Sequence, residues 1–176
     1  LDFSAYAQGT DVLAWIVDAA ELDAVLADAL RFAPHVTRVE HDVPAALLAL
    51  ADGKHSAGRA ALGVLADVKP YRQRGVAARL RADRPHAGLA RQWFRSPDVL
   101  ALLPFDRPVA GCSYGLVWSV PDTRADELLA LTDAAFEQAL MDATGGAAGT
   151  LALAGERAAW PLMLTRTDRQ CGPGWV

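Results

Sequence analysis

The run from Leu48 to Arg59 carries the residue types and spacing that could bind an anion. Its apolar half ends in Asp52-Gly53, and Ser56 and Arg59 follow at a spacing that starts a helix. A strand–turn–helix of this kind presents backbone N–H groups and the positive end of a helix dipole. Asp52 could accept hydrogen bonds from a sugar or polyol hydroxyl, and Arg59 could contact a phosphate. An ordinary Asp-Gly turn with Ser56 as helix N-cap explains the same run, and this is the commoner use of the dipeptide.

A second group of residues could line a flat apolar pocket for an aromatic ring. Its members are aromatic and fall on candidate strands: Tyr71, Trp93, Phe94, Phe105, Tyr114 and Trp118. Aromatic side chains also fit the half-buried surface of a sheet, so plain core packing is the competing and more frequent explanation.

Several function classes find no support in the sequence. There is no Gly-x-Ser-x-Gly elbow, no phosphate-binding glycine-rich loop and no His-Glu-x-x-His pattern. The four histidines are scattered without a second ligand at helical or hairpin spacing, so we expect no metal site. A formal charge of −4 gives no basic surface for nucleic acid.

The bulk composition indicates a folded domain of ordinary cytosolic type. With 52% hydrophobic and 22% charged residues, the chain can bury a core. Cys112 and Cys171 are far apart, which favours reduced thiols. No apolar stretch reaches the roughly 18–20 residues of a membrane helix. The chain starts at Leu1 without methionine and stops in a turn at residues 172–176, so we expect both ends to be cuts through a longer protein.

The elements that must position these residues follow from periodicity. Thr10 or Asp11 could cap a helix whose apolar face runs to Leu30, before Pro34. The β-branched residues of Val36–Val39 predict a short strand, and Ala45–Ala51 a short buried one. A helical turn is expected over Ser56–Leu62.

Beyond Pro70 the pattern changes to strands. Val76, Ala78 and Leu80 alternate with Arg79 and Arg81, which is typical of a sheet with one buried face. Four further segments predict strands, the last of them long: Gly88–Phe94, Val99–Leu103, Cys112–Val120 and Leu151–Thr167. A helical region is expected from Pro121 to the break at Gly145-Gly146. Short connections imply antiparallel pairing, so we expect an α+β fold, a mostly antiparallel sheet with helices on one face.

The order of local motifs resembles the FAD-dependent aromatic hydroxylases, specifically their ubiquinone-biosynthesis branch. The resemblance covers almost the entire chain and is carried by these segments: Leu13-Ala14-Trp15-Ile16-Val17, Tyr71-Arg72-Gln73-Arg74-Gly75-Val76, Pro85-His86, Ala90-Arg91-Gln92-Trp93-Phe94, Leu100-Ala101-Leu102-Leu103-Pro104, Leu116-Val117-Trp118-Ser119 with Pro121, and Glu156-Arg157 through Trp160-Pro161-Leu162. An unrelated α+β domain with chance similarity is the remaining alternative.

The resemblance implies roles for both groups of residues. Asp52, Gly53, Ser56 and Arg59 would bind the cofactor FAD, near its pyrophosphate and ribityl chain or near the nicotinamide donor. The loop departs from the family, because Leu50-Ala51 stand where Gly-Ala is usual and Gly58 where a branched apolar residue is usual. The substrate would contact aromatic and apolar positions on the strands: Tyr71, Trp93, Phe94, Leu102, Pro104 and Trp118.

The resemblance also divides the chain and sets its expected activity. Residues 1–66 would be a remnant of the FAD-binding domain, residues 67–171 the substrate-binding sheet, and residues 172–176 the start of a strand that returns to the FAD-binding domain. The parent protein would hydroxylate an aromatic ring, such as that of a prenylated phenol. It would be cytoplasmic, with an inner-membrane surface or a multi-enzyme assembly as further partners. The family's Gly-x-Gly-x-x-Gly unit and its Gly-Asp-Ala-Ala-His motif are missing from this sequence. We therefore expect this chain alone to retain no FAD and to be inactive, and the alternative is a non-catalytic, self-associating substrate domain.

Overall fold

The fold is an antiparallel sheet with two helices on one face, preceded by a segment that lacks extended sheet pairing. The structure, a computed structural model, describes residues 1–41, 43–53 and 55–176. After a 3-10 turn at Tyr6–Gln8, its elements in chain order are α1 Ala19–Arg31, α2 Ala57–Ala61, β1 Ala66–Ala82, β2 Arg91–Arg95, β3 Asp98–Phe105, β4 Ser113–Pro121, α3 Asp122–Ala130, α4 Asp133–Thr144, β5 Leu151–Leu153 and β6 Ala158–Thr167. The predicted α+β class is confirmed.

The long strand β1 organises the sheet. The strand order is β2-β3-β4-β1-β5. Strand β6 also pairs with β1, along the part of β1 that comes before the part paired with β5. All these pairings are antiparallel. A register shift between Pro70 and Gln73, with Arg72 at φ 55°, marks a bulge in β1. Because a bulge adds residues to only one strand, it bends β1 where β6 crosses it.

The core lies between the sheet and the helices α3 and α4. Alternate residues of β1, β3 and β4 point into it, and so do four residues of the two helices: Ala125, Leu128, Phe136 and Leu140. Thr132 caps α4 by accepting a hydrogen bond from the Ala135 N–H at 3.3 Å, and Gly145 ends the helix in the left-handed region. The alternation predicted for β1 is confirmed by the burial of Val76, Ala78 and Leu80.

The N-terminal third differs from the sequence prediction. The first helix starts at Ala19, and its N-cap is Asp18, whose carboxylate accepts from the Ala20 N–H at 2.9 Å. Neither Thr10 nor Asp11 caps it, because Asp18 satisfies the helix N-terminus and also pairs with Arg79 of β1 at 2.6 Å. Val36–Val39 forms no strand. The predicted strand Ala45–Ala51 is reduced to one bridge, from Leu48 to Trp175, and it is mostly exposed rather than buried.

Other element boundaries shift by a few residues. The predicted strand Gly88–Phe94 starts only at Arg91, after a turn in which the Leu89 N–H bonds to the His86 carbonyl at 2.9 Å. The predicted single strand Leu151–Thr167 is two strands, because Gly155 adopts φ 145° between β5 and β6. Among the described residues, each helix is too short or too polar to traverse a bilayer.

Candidate functional site

The predicted cofactor-binding residues form one small turn and helix on the surface. Ser56 caps α2, because its Oγ accepts the Arg59 N–H at 2.9 Å, and Gly53 has φ 85°. The Ser56 hydroxyl donates to the Asp52 carboxylate and, with nearby backbone N–H groups, lowers the pKa of Asp52 below its ordinary 3.8. The structure thus brings Asp52, Gly53, Ser56 and Arg59 together, as the spacing predicts.

Leu50 and Gly58 are physically coupled in this loop. A Cβ added to Gly58 would lie 2.7 Å from Cδ2 of Leu50, closer than carbon atoms approach in proteins. Leu50 therefore fills the space that a larger residue at position 58 would need. The large side chain at position 50 and the absence of one at position 58 therefore compensate each other in volume.

This turn does not form a flavin site by itself. The Asp52 carboxylate already accepts from Ser56 and from the backbone N–H groups of Ala57 and Gly58, which an anion would otherwise use. Helix α2 has five residues, so its dipole is small. Asp52 is exposed to solvent. The described residues therefore do not fit FAD without a further domain.

Strand alternation divides the six predicted substrate residues between the two faces of the sheet. By strand alternation, four of them lie on the helix-covered face: Trp93, Leu102, Pro104 and Trp118. Leu102 is fully buried in the core there. Phe94 points to the opposite face and is 74% exposed. Tyr71 lies at the bulge of β1 and is half-exposed. They do not form one pocket, and their contact with substrate stays a prediction.

The helix-free face carries two rows of cross-strand partners, together called the trough below, that the aromatic pattern alone did not reveal. Its first row crosses five strands through the paired residues Phe94, Val99, Ser119, Gly75 and Trp160. The next row contains Gln92, Ala101, Val117, Ala77 and Ala158. The small residues Gly75, Ala77, Ala101 and Ser119 share the floor of this trough with Val99 and Val117, and exposed Phe94 and Trp160 stand at its two sides. Four strand spacings separate the backbones of Phe94 and Trp160, or about 19 Å.

One end of the trough is closed by charged residues that also hold the N-terminal segment. The Arg79 guanidinium lies 3.9 Å from the ring centroid of Phe105 and pairs with Asp18. A second ion pair joins Arg107 to Glu21 in α1. Alternation along β4, where Val117 lies between buried Leu116 and Trp118, is the sequence signal that could have located this face.

The helix-covered face contains a polar pair within the core. Tyr114 is buried, and its hydroxyl accepts a hydrogen bond from Arg91 at 3.2 Å. Burial raises the pKa of Tyr114 above its ordinary 10.0, and the Arg91 charge offsets this only in part. The neighbouring His86 ring packs edge-on against Tyr114. No cluster of three or more metal-ligating side chains occurs in the part of the chain that the structure describes.

Comparison with solved structures identifies proteins that share the fold of this sheet. Its fold is shared with flavin-dependent halogenases. The halogenase CmlS superposes with a TM-score of 0.54 at 14% identity, over 73% of this chain and 24% of CmlS. The brominase Bmp2 gives a TM-score of 0.55 at 15% identity, over 80% of this chain and 37% of Bmp2. A Bmp2 triple mutant gives 0.52 at 15%, over 78% and 36%.

These likenesses show the fold and its extent. The chain spans between about a quarter and just over a third of each of these proteins. No protein-family profile matches the sequence. The flavoprotein character of the structural relatives agrees with the expected flavin family, whereas the ubiquinone branch has no counterpart among them.

Proposed function

We propose that this chain is the sheet portion of an FAD-dependent enzyme that oxidises an aromatic ring, with the trough covering the reaction space. The observation that carries the proposal is the floor of Gly75, Ala77, Ala101 and Ser119 between Phe94 and Trp160. Small floor residues let a planar ring approach the sheet, and exposed aromatic walls offer it apolar contact. The fold shared with flavin-dependent halogenases supports this placement.

The proposed substrate is a prenylated phenol, hydroxylated in ubiquinone biosynthesis. The distance of about 19 Å across the strands between Phe94 and Trp160 would accommodate a ring together with an extended apolar tail. Bound flavin supplies the activated oxygen in such enzymes, and the protein orients the ring and excludes water. Because the described residues of this chain do not form a flavin site, a further domain would hold the FAD. The turn from Asp52 to Arg59 would lie at most at the edge of that flavin site.

Halogenation is the second candidate chemistry, favoured by the names of the structural relatives. The two reactions differ in the atom that the ring gains, so one experiment separates them. A polypeptide that joins this chain to a flavin-binding domain is given NADH, FAD, isotopically labelled O₂, bromide and a phenol with or without a prenyl tail. Labelled oxygen in the product, detected by mass spectrometry, would support hydroxylation. Bromine in the product would contradict hydroxylation and support halogenation instead.

The trough itself is tested in the same polypeptide with Gly75→Leu. Gly75 is buried, and a Cβ there would lie 3.7 Å from Leu162, an ordinary contact; the rest of the leucine side chain would occupy the floor. We expect kcat/KM for the phenol to fall by at least about tenfold, with flavin content unchanged. Ala66→Val, exposed on the same strand about 30 Å away, is the matched control. Full activity of Gly75→Leu would overturn the placement.

The non-catalytic alternative is a self-associating substrate domain. Helix α1 buries none of its residues and exposes Leu22, Val25, Leu26 and Leu30 by 44–65%. Contiguous exposed apolar surface of this kind drives association. Light scattering of the 176-residue chain tests this alternative, and we expect the apparent mass to rise with concentration. A single monomeric species at all concentrations would exclude it.

A further inference from the structure

The helix-covered side of the sheet has a second cleft, at its β2 edge. It has a volume of about 340 Å³ and lies between the first strands and helix α4. Trp93, Leu100 and Trp118 are cross-strand partners on β2, β3 and β4, so they form a continuous apolar wall. Trp118 is buried, and its ring centroid lies 6.4 Å from that of Phe136, a packing contact that fixes the indole.

Helix α4 leaves the opposite wall open. It presents Ala139 and Ala143, which are one turn apart and both half-buried, to the cleft. Larger side chains at these two positions would close it. An apolar cavity of about 150 Å³ suffices for benzene. The cleft therefore has room for one aromatic ring and its polar substituents.

Four charged side chains surround the opening, two of each sign: Arg95, Asp98, Arg124 and Asp142. Asp98 is half-buried, and among the described residues its carboxylate makes no ion pair or side-chain hydrogen bond. Arg95 reaches the Asp142 carbonyl only at 3.5 Å. Arg124 pairs with Glu127 in an exposed helical contact, which contributes little. The ring of charges is neutral in total and able to receive both an ammonium and a carboxylate.

We propose that this cleft binds a planar aromatic zwitterion, of which an aromatic amino acid is the simplest case. The ring lies against Trp93 and Trp118, the ammonium faces Asp98, and the carboxylate faces Arg95 and Arg124. A purely cationic ligand would meet two guanidinium groups, and a purely anionic one two carboxylates. The site lies on the other face of the sheet from the trough, so it stands independently of the proposed function.

The test is calorimetric titration of the 176-residue chain with L-phenylalanine and two analogues. Phenethylamine lacks the carboxylate, and 3-phenylpropionate lacks the ammonium. Each lost charged hydrogen bond weakens binding by about tenfold or more, so both analogues should bind at least that much more weakly. Absence of saturable binding of L-phenylalanine, or equal binding of the three compounds, would overturn the proposal.

Two variants on one helix locate the binding. Ala143→Leu fills the cleft and should abolish binding, whereas Ala134→Leu, exposed on another side of α4, should leave it unchanged. In amide and indole NMR spectra of the unaltered chain, L-phenylalanine should shift the indole N–H signals of Trp93 and Trp118. Binding that persists in Ala143→Leu, or shifts confined to Trp160 in the trough, would refute the site and leave the proposed function intact.

Discussion

Arg157 joins the two helices to the sheet, and its replacement should be among the most damaging single changes. Its Nη1 donates to the Leu128 carbonyl at 2.9 Å and its Nη2 to the Leu131 carbonyl at 2.7 Å. Leu128 lies in the last turn of α3, where carbonyls lack helical partners. The guanidinium also lies 4.9 Å from the Phe136 ring centroid, and the side chain is only 13% exposed.

The magnitude follows from these contacts. Arg157→Met keeps most of the aliphatic stem but removes two charged hydrogen bonds, each contributing about 1.5–3 kcal/mol. Water reaching the freed carbonyls recovers part of this loss, so we expect the free energy of unfolding to fall by about 3 kcal/mol. The contact with Asp133 at 3.3 Å adds little, because that carboxylate is 76% exposed. Arg157→Lys, which cannot reach both carbonyls as a fork, should cost about 1–2 kcal/mol.

Urea denaturation followed by circular dichroism measures both variants. A loss of about 3 kcal/mol should also lower the melting temperature by about 6–12 °C for a domain of this size. Arg31→Met is the control, because the Arg31–Asp28 ion pair joins two side chains that are both more than 70% exposed; it should change stability by at most a few tenths of a kcal/mol. If Arg157→Met stayed within about 1 kcal/mol of the unaltered chain, the bridging role would be refuted.

Three further predictions address the core, the turn and the cofactor. Because the pKa of Tyr114 is raised in the folded state, its contribution to stability is complete below pH 10 and is lost as pH rises through the folded pKa. Alkaline unfolding should therefore begin above pH 10 and depend less steeply on pH in Tyr114→Phe. Identical alkaline profiles of the two proteins would contradict this. Gly58→Val should destabilise the turn by about 1–2 kcal/mol, measured by hydrogen exchange of α2, and Leu50→Ala should restore most of it in the double variant. Additive effects of the two substitutions would show that the residues are not coupled. The purified chain mixed with FAD and desalted should remain colourless, and stoichiometric yellow protein would disprove the expectation that it retains no flavin.

The strands were predictable because alternation reports burial directly. Val76, Ala78 and Leu80 lie in the core as their spacing predicts, and the α+β class followed from closely spaced strands. The first helix was placed too early because Leu13, Ile16 and Val17 continue its apolar spacing. Their spacing cannot reveal that Asp18 is held by Arg79, sixty-one positions later in the chain, and starts the helix there.

The candidate site was predicted less well, for a related reason. Aromatic residues identify strands, but adjacent ones such as Trp93 and Phe94 necessarily point to opposite faces. Grouping them into one pocket therefore combined two surfaces. The trough depends on which residues are small, Gly75 and Ala77 among them, and small residues carry no chemical signature of their own in a sequence.

The separation of the two faces has a consequence for how this sheet could serve an enzyme. Its helix-covered side is held by Arg157 and by the buried Tyr114, so that side supplies rigidity. The trough lies on the face opposite α3 and α4, and its floor consists of strands paired on both sides. A floor of paired backbone cannot shift without breaking ladder hydrogen bonds, so under the proposed function it would keep a ring at a fixed height above it. Specificity should therefore be set by the side residues Phe94 and Trp160, and exchanging either should alter substrate choice more than stability.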